Sequence, residues 1–495
     1  MPDHLSTLVN SCLLPAYGGA TPADWLKREI DDGLAGIVLY GANLGLLDGR
    51  LRELVTGPLR AHRSDLVIAL DEEGGDITRA EYHRGSNYPG ALALGVVDDV
   101  ELTGRVGAAV AADLIEAGIS VNLAPCLEIC PGTDLPVFGT RSFGADPARV
   151  AAHARAFVEG VQRHGVAATA KHFPGLGSTR VDSHFELPVV PTPEDRFRAR
   201  DLVPFAAAVA AGVQAVMTGH VAVPAIDEAP ATFSRRFVTD ILRGELAFDG
   251  VVISDSLDMR SARGTLGFGG AAVRAWAAGV DLMIIGPQDG EQICAEIRES
   301  ARRAVADGVL SLARLEEAAD RVARLRELTG SPVPPDDDLA EVGLTAARRA
   351  LAVRGAAPRP GERFVVELRP EPGISCGTVP WGLVDALERL GAPAGSVLVE
   401  PGTAAGSLAV PDGVPLAVVA RTEYADPWQE AVVAALLADR PDAVLVDMGY
   451  RDLPVPAGTT VLKTYGAGLV NAVAAAELLL GRRWAGAPRD LPGLA

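Results

Sequence analysis

The alternation of short apolar runs with longer amphipathic stretches constrains this chain more than any other feature. Eight runs read as strands: Leu8–Leu14, Gly36–Tyr40, Leu66–Leu70, Ser120–Ala124, Val166–Ala170, Gln214–Thr218, Gly250–Ser254 and Val280–Ile285. Helix-like segments fall between them at 22–33, 47–62, 100–117, 147–164, 192–211, 234–246 and 270–278, with 290–328 after the last. Eight β-then-α units across residues 1–330 fit an α/β fold of the (β/α)8 TIM-barrel type, whose active site lies at the carboxyl ends of the strands. A doubly wound open sheet is the alternative. It usually carries a glycine-rich phosphate loop after its first strand, and Tyr17-Gly-Gly-Ala is no such motif.

A barrel requires polar residues just past the strand ends, and they are there. Asp71-Glu-Glu-Gly-Gly-Asp-Ile-Thr-Arg79 follows the third run and Lys171-His172 the fifth. Gly219-His220 follows the sixth and Asp255 the seventh. The stretch 72–99 is long for a βα loop and is expected at the rim of the site. Around Thr329-Gly-Ser-Pro-Val-Pro-Pro-Asp-Asp-Asp338 the composition turns to proline and acid, the mark of an interdomain linker, placed at 331–345. Residues 346–495 read as a smaller α/β domain. Its expected strands are 363–368, 416–420, 443–447 and 459–463, and its expected helices 381–390, 427–438 and 469–480.

The formal net charge of -19 argues against nucleic acid and anionic membranes as partners. No run approaches the roughly 20 apolar residues of a membrane span, and no basic-then-apolar leader is visible, so the expected compartment is cytoplasmic. The five cysteines are scattered, which speaks against a disulfide framework. Cys126 and Cys130 are close, but no neighbouring His or Cys pair completes a zinc site, and no His-x-His or His-Glu-x-x-His spacing occurs among the eight histidines. No metal or cofactor is expected.

The densest chemistry lies in Lys171-His-Phe-Pro-Gly-Leu-Gly-Ser-Thr-Arg-Val-Asp-Ser-His184. A carboxylate two residues from an imidazole, as in Asp182 and His184, can hold the ring ready to give or accept a proton. The same triplet could equally be a solvated turn. Asp255, ending an apolar strand, suits either a nucleophile with one fixed line of attack or a helix N-cap. Asp71 could be a cap, Arg79 and Arg141 surface charges, and His172 a satisfied core histidine. Lys171 is harder to set aside, because burying an ammonium costs several kcal/mol unless something pairs with it.

Taken together, these segments resemble glycoside hydrolase family 3, especially its β-N-acetylglucosaminidase branch. The matching stretches are Asp71-Glu-Glu-Gly-Gly to Arg79, Tyr88-Pro-Gly-Ala-Leu-Ala-Leu-Gly95, Asn122-Leu-Ala-Pro125, Gly139-Thr-Arg-Ser-Phe-Gly-Ala-Asp-Pro147, Lys171 to His184, and Ile253-Ser-Asp255. The resemblance implies that Asp255 is the nucleophile, and that His184, oriented by Asp182, is the general acid/base. It places Asp71, Arg141, Lys171 and His172 around the terminal sugar, with Arg79 orienting Asp71 or lining the pocket. It also implies a small carbohydrate substrate, exo action with retention, and an α/β sandwich for the C-terminal part. Three positions depart from the branch: Leu176 where histidine is frequent, Ser256 in place of a second aspartate, and Glu128 in place of aspartate. A phosphorylase, a β-glucosidase or β-xylosidase on the same fold, and a sugar-binding barrel without catalysis remain the competing readings.

Overall fold

A computed structural model describes residues 3–47, 49–132, 137–264, 266–329, 339–422 and 426–484. The eight strands form as β1 (Leu13–Pro15), β2 (Gly36–Val38), β3 (Val67–Leu70), β4 (Val121–Asn122), β5 (Ala167–Phe173), β6 (Ala215–Thr218), β7 (Val251–Ser254) and β8 (Met283–Ile285). β2 to β7 pair in parallel and in chain order, and β1 pairs in parallel with β8. At the β7–β8 seam the Asp281 and Leu282 N–H groups donate to the Val252 carbonyl, and Ser254 donates back to Leu282. At the other seam Ala35 donates to Asn10. Parallel strands curling in chain order, with helices outside, make the (β/α)8 barrel.

The barrel interior is packed, not hollow. Leu14, Val38, Val67, Ala69, Val121, Ala167, Ala215, Met217, Val251, Ile253 and Ile284 form one buried cluster inside it. Each buried Val or Ile there contributes about 1.5–3 kcal/mol. Neighbouring strands approach so closely at Gly36 that an added Cβ would lie 1.8 Å from the Val67 carbonyl oxygen. Only glycine fits.

Several elements differ from expectation, among them the helix expected over 192–211, which is two, Glu194–Arg200 and Leu202–Ala210. The run Leu8–Leu14 divides into a helix, His4–Asn10, and the short β1. Asp3 starts that helix by accepting the Ser6 N–H at 2.7 Å, a cap that an apolar count does not register. The single helix expected over 290–328 is two, Gly290–Ala306 and Leu312–Leu328, parted by Gly308 at φ +70° and restarted by a Ser311 cap. β5 runs on through Lys171 and His172, so both lie within the strand and not in the loop after it.

The C-terminal part has its own sheet: β9 (Ala352–Arg354), β10 (Phe364–Leu368), β11 (Ser396–Val399), β12 (Leu416–Ala420), β13 (Val444–Asp447) and β14 (Thr460–Lys463). Its order is β11-β10-β12-β13-β14-β9, parallel except for β9. Helices Leu383–Arg389 and Leu469–Leu480 cover one face and Pro427–Asp439 the other, giving an α/β sandwich. β9 and β11 are short, largely exposed edge strands, and the sequence reading named neither. Of the expected linker, residues 331–338 lie outside the described residues. The helix Val342–Ala350 follows, with Val342 and Ala346 in the barrel's core cluster and Leu344 and Ala347 in that of the second sheet.

Candidate active site

The strand ends bring most of the expected residues, though not Arg79, to one mouth. Leaving β3, Asp71 accepts a hydrogen bond from Lys171 Nζ at 2.5 Å. Glu73, two residues on, takes the same ammonium at 2.7 Å and the Arg141 guanidinium through both of its oxygens, at 2.8 and 2.9 Å. Lys171 and Glu73 are buried, and Arg141 is nearly so. Burial alone would raise Glu73, but Arg141 and Lys171 outweigh it and hold the carboxyl well below the usual range. Burial works against the Lys171 charge as well, yet Asp71 and Glu73 push its pKa up. The result is a fixed cradle of alternating charge that offers both hydrogen-bond donors and acceptors.

His172 is held from behind. Its backbone N–H donates to Glu128 Oε1 at 2.9 Å and its Nδ1 meets the same oxygen at 3.0 Å. The second Glu128 oxygen accepts the Leu176 N–H at 2.8 Å. The two departures Glu128 and Leu176 therefore act together, with the glutamate anchoring the loop in which Leu176 is buried. Cys126, Glu128 and His172 also bring three buried donor atoms within 4.8 Å of one another, which chain spacing hid because the histidine comes from β5. Both glutamate oxygens are already engaged by N–H groups, so the cluster is satisfied as a hydrogen-bonded support.

Asp255 leaves β7 half-exposed to the mouth, and the Ser256 N–H donates to its Oδ1 at 2.8 Å. It is no helix cap, since the next helix, Arg260–Arg263, begins after Met259. Burial would raise its pKa, but His172, His220 and His184 outweigh that and lower it, leaving a carboxylate. His220 is buried, bonded to Thr232 Oγ1 at 2.9 Å and to the Ser256 carbonyl at 3.1 Å, and so it fixes the turn that carries Asp255.

Asp182 and His184 form a dyad, with His184 Nδ1 2.6 Å from Asp182 Oδ1 and the His184 N–H donating to the same oxygen at 2.9 Å. Burial works against the imidazolium, but Asp182, and after it Asp255, raise the ring's pKa. Asp182 and His184 lie on a loop separate from the one that carries Asp255. A direct contact ties them: Ser261 Oγ donates to the Ser183 carbonyl at 2.6 Å.

Arg79 does not orient Asp71. Its guanidinium donates to the Ser375 carbonyl at 2.6 Å and to Thr78, because the loop turns it toward the C-terminal part. The sequence reading also passed over Glu73, although it stands in the quoted Asp71-Glu-Glu run. It passed over Tyr40, whose hydroxyl reaches Ser256 Oγ at 3.3 Å from the end of β2, and Ser261. A strand-end tyrosine was the one available signal for Tyr40; Ser261 had none.

Comparisons with known proteins show what the chain resembles. A "Beta-hexosaminidase" of Xylella fastidiosa is 36% identical over 273 residues, covering 54% of this chain and 79% of that protein. One from Chromobacterium violaceum is 35% identical over 297 residues, covering 58% and 82%. The solved structure of a glycoside hydrolase family 3 β-N-acetylglucosaminidase from a Paenibacillus species superposes with a TM-score of 0.84 at 28% identity, over 97% of both chains. Residues 21–325 match the model of the glycosyl hydrolase family 3 N-terminal domain, and the chain belongs to that family.

Proposed function

We propose that this protein is an exo-acting, retaining β-N-acetylglucosaminidase that removes terminal β-linked N-acetylglucosamine through a covalent glycosyl-Asp255 intermediate. The carrying observation is the Asp182–His184 dyad, tied by Ser183 and Ser261 to the loop that presents Asp255. In the first step Asp255 Oδ attacks the anomeric carbon while the His184 imidazolium gives its proton to the departing oxygen. In the second, the now neutral His184 takes a proton from water, which attacks the same carbon and frees Asp255. A histidine here replaces the second carboxylate of the usual retaining pair. Asp71, Lys171, Arg141 and His172 hold the sugar's hydroxyls, with Glu73 fixing both cations.

The same histidine leaves room for phosphate, since it adds no fixed negative charge beside Asp255. Aryl N-acetyl-β-glucosaminide turnover with and without phosphate decides between the two. Free N-acetylglucosamine as the dominant product in both conditions supports the hydrolase. Sugar 1-phosphate as the main product overturns it, and faster cleavage of the aryl glucoside or xyloside overturns the sugar assignment. Cytoplasmic recycling of cell-wall or chitin-derived fragments is the biological role proposed. No disulfide is present among the described residues, which fits a reducing compartment, and no helix among them is long and apolar enough to cross a membrane.

A further inference from the structure

The loop that carries Asp71 and Glu73 is gripped from outside the barrel. Asp76, in its middle, is 8% exposed and accepts two hydrogen bonds from opposite directions. Its Oδ2 takes the Thr140 hydroxyl at 2.5 Å, and Thr140 immediately precedes Arg141, the bidentate partner of Glu73. Its Oδ1 takes the Ala467 N–H at 2.7 Å, just past β14 of the C-terminal sheet, with Arg421 Nη2 3.7 Å away, just past β12. The segment after β10 adds two anchors: Ser375 accepts from Arg79 at 2.6 Å, and the Thr378 N–H donates to the Tyr82 hydroxyl at 3.0 Å. Gly75 and Gly468 touch so closely that a Cβ on Gly468 would sit 3.0 Å from Gly75 Cα. Three strand ends of the second sheet thus converge on one loop.

We propose that Asp76 is a positioning residue through which the C-terminal sheet holds the sugar cradle in register. It touches no reacting atom. It sets the spacing between the Asp71–Glu73 arm and the Arg141 arm by fixing both to a third, rigid body. The C-terminal part is then a working component of sugar binding, reached through a carboxylate three residues from Glu73. This inference rests on the glycosidase reading for its assay.

The test uses the full chain with Asp76→Ala, Asp76→Asn and Thr140→Val. Alanine removes both acceptors. Asparagine keeps them occupied, its oxygen taking the Ala467 N–H and its amide donating to Thr140. Asp76→Ala is expected to raise KM, and the Kd of free N-acetylglucosamine, on the order of tenfold (~1.4 kcal/mol), with kcat within about threefold. Thr140→Val moves the same quantities in the same direction, the double variant is no worse than Asp76→Ala, and asparagine restores most of the loss. Wild-type KM and Kd in both Asp76→Ala and Thr140→Val, with only a lowered melting temperature, would overturn the proposal. Should Asp76→Ala not fold, Thr140→Val alone decides it. Failure of the unaltered protein to bind or cleave the sugar would instead strike the functional reading.

Discussion

Asp182→Asn isolates the part of the mechanism that depends on a charge and not on a shape. The dyad distance is 2.6 Å and both side chains are about 30% exposed, at 32% for His184 and 28% for Asp182. A hydrogen bond to a charged partner contributes about 1.5–3 kcal/mol, and partial exposure favours the lower half of that range. At 1.36 kcal/mol per tenfold, the change should cost on the order of ten- to a hundredfold in kcat/KM wherever protonation of the leaving group limits the rate. An unactivated N-acetylglucosamine disaccharide meets that condition. An aryl glycoside with a strongly acidic phenol does not, and it should lose less than about fivefold, since the departing oxygen needs little help. The pH profile supplies the sign. His184 is raised in the wild type, so its imidazolium survives above the ordinary histidine range and the basic limb of kcat/KM lies above about 6.5. Asp182→Asn moves that limb down. Equal losses on both substrates, or an unmoved basic limb, would refute the assignment of His184 as an acid tuned by Asp182.

Further outcomes follow from the same geometry. Glu73→Gln leaves Arg141 without its carboxylate and Lys171 with Asp71 alone, so thermal unfolding should show a loss of ~3 kcal/mol together with a raised KM. Glu72 is buried, accepts from Thr78 and from the Arg79 and Ala80 N–H groups, and is pushed by burial to about 7. Its folded state keeps a proton that the unfolded chain releases near 4.5, so stability falls as pH rises between those values. Glu72→Gln should therefore gain in melting temperature at pH 8 relative to pH 5, and an identical difference at the two pH values would count against a neutral carboxyl there. Ser261→Ala frees the Ser183 carbonyl from the Asp255 loop. It should lower kcat by about threefold to tenfold with KM little changed, the cost of one hydrogen bond near 1 kcal/mol, measured by steady-state kinetics.

The barrel was legible in the sequence because a parallel strand buried on both faces is predominantly apolar, as the eight runs between Leu8 and Ile285 are. Edge strands can be short and exposed, and β9 and β11, of three and four residues, escaped it. The dyad was legible because its two members lie two residues apart. The cradle was legible only in part: Lys171, Asp71 and Arg141 could be named, but the shared partner Glu73 shows only once β3, β5 and the 139–141 turn are folded against one another. The partner of Arg79 was hidden for the same reason. A guanidinium beside a site motif reads as a site residue, while its actual partner, Ser375, stands 296 positions away. Pairings between distant segments are set by the topology, and composition says nothing of them.

The direct measurement is where the sugar is carried between the two steps. Incubation with a 5-fluoro N-acetylglucosaminyl fluoride, which keeps the 2-acetamido group while slowing breakdown of the adduct, followed by proteolysis and mass spectrometry, locates it. A glycosyl label on Asp255, absent from Asp255→Ala, is the predicted result. A label on any other side chain, or rapid turnover with no adduct and an inverted product, would contradict the account.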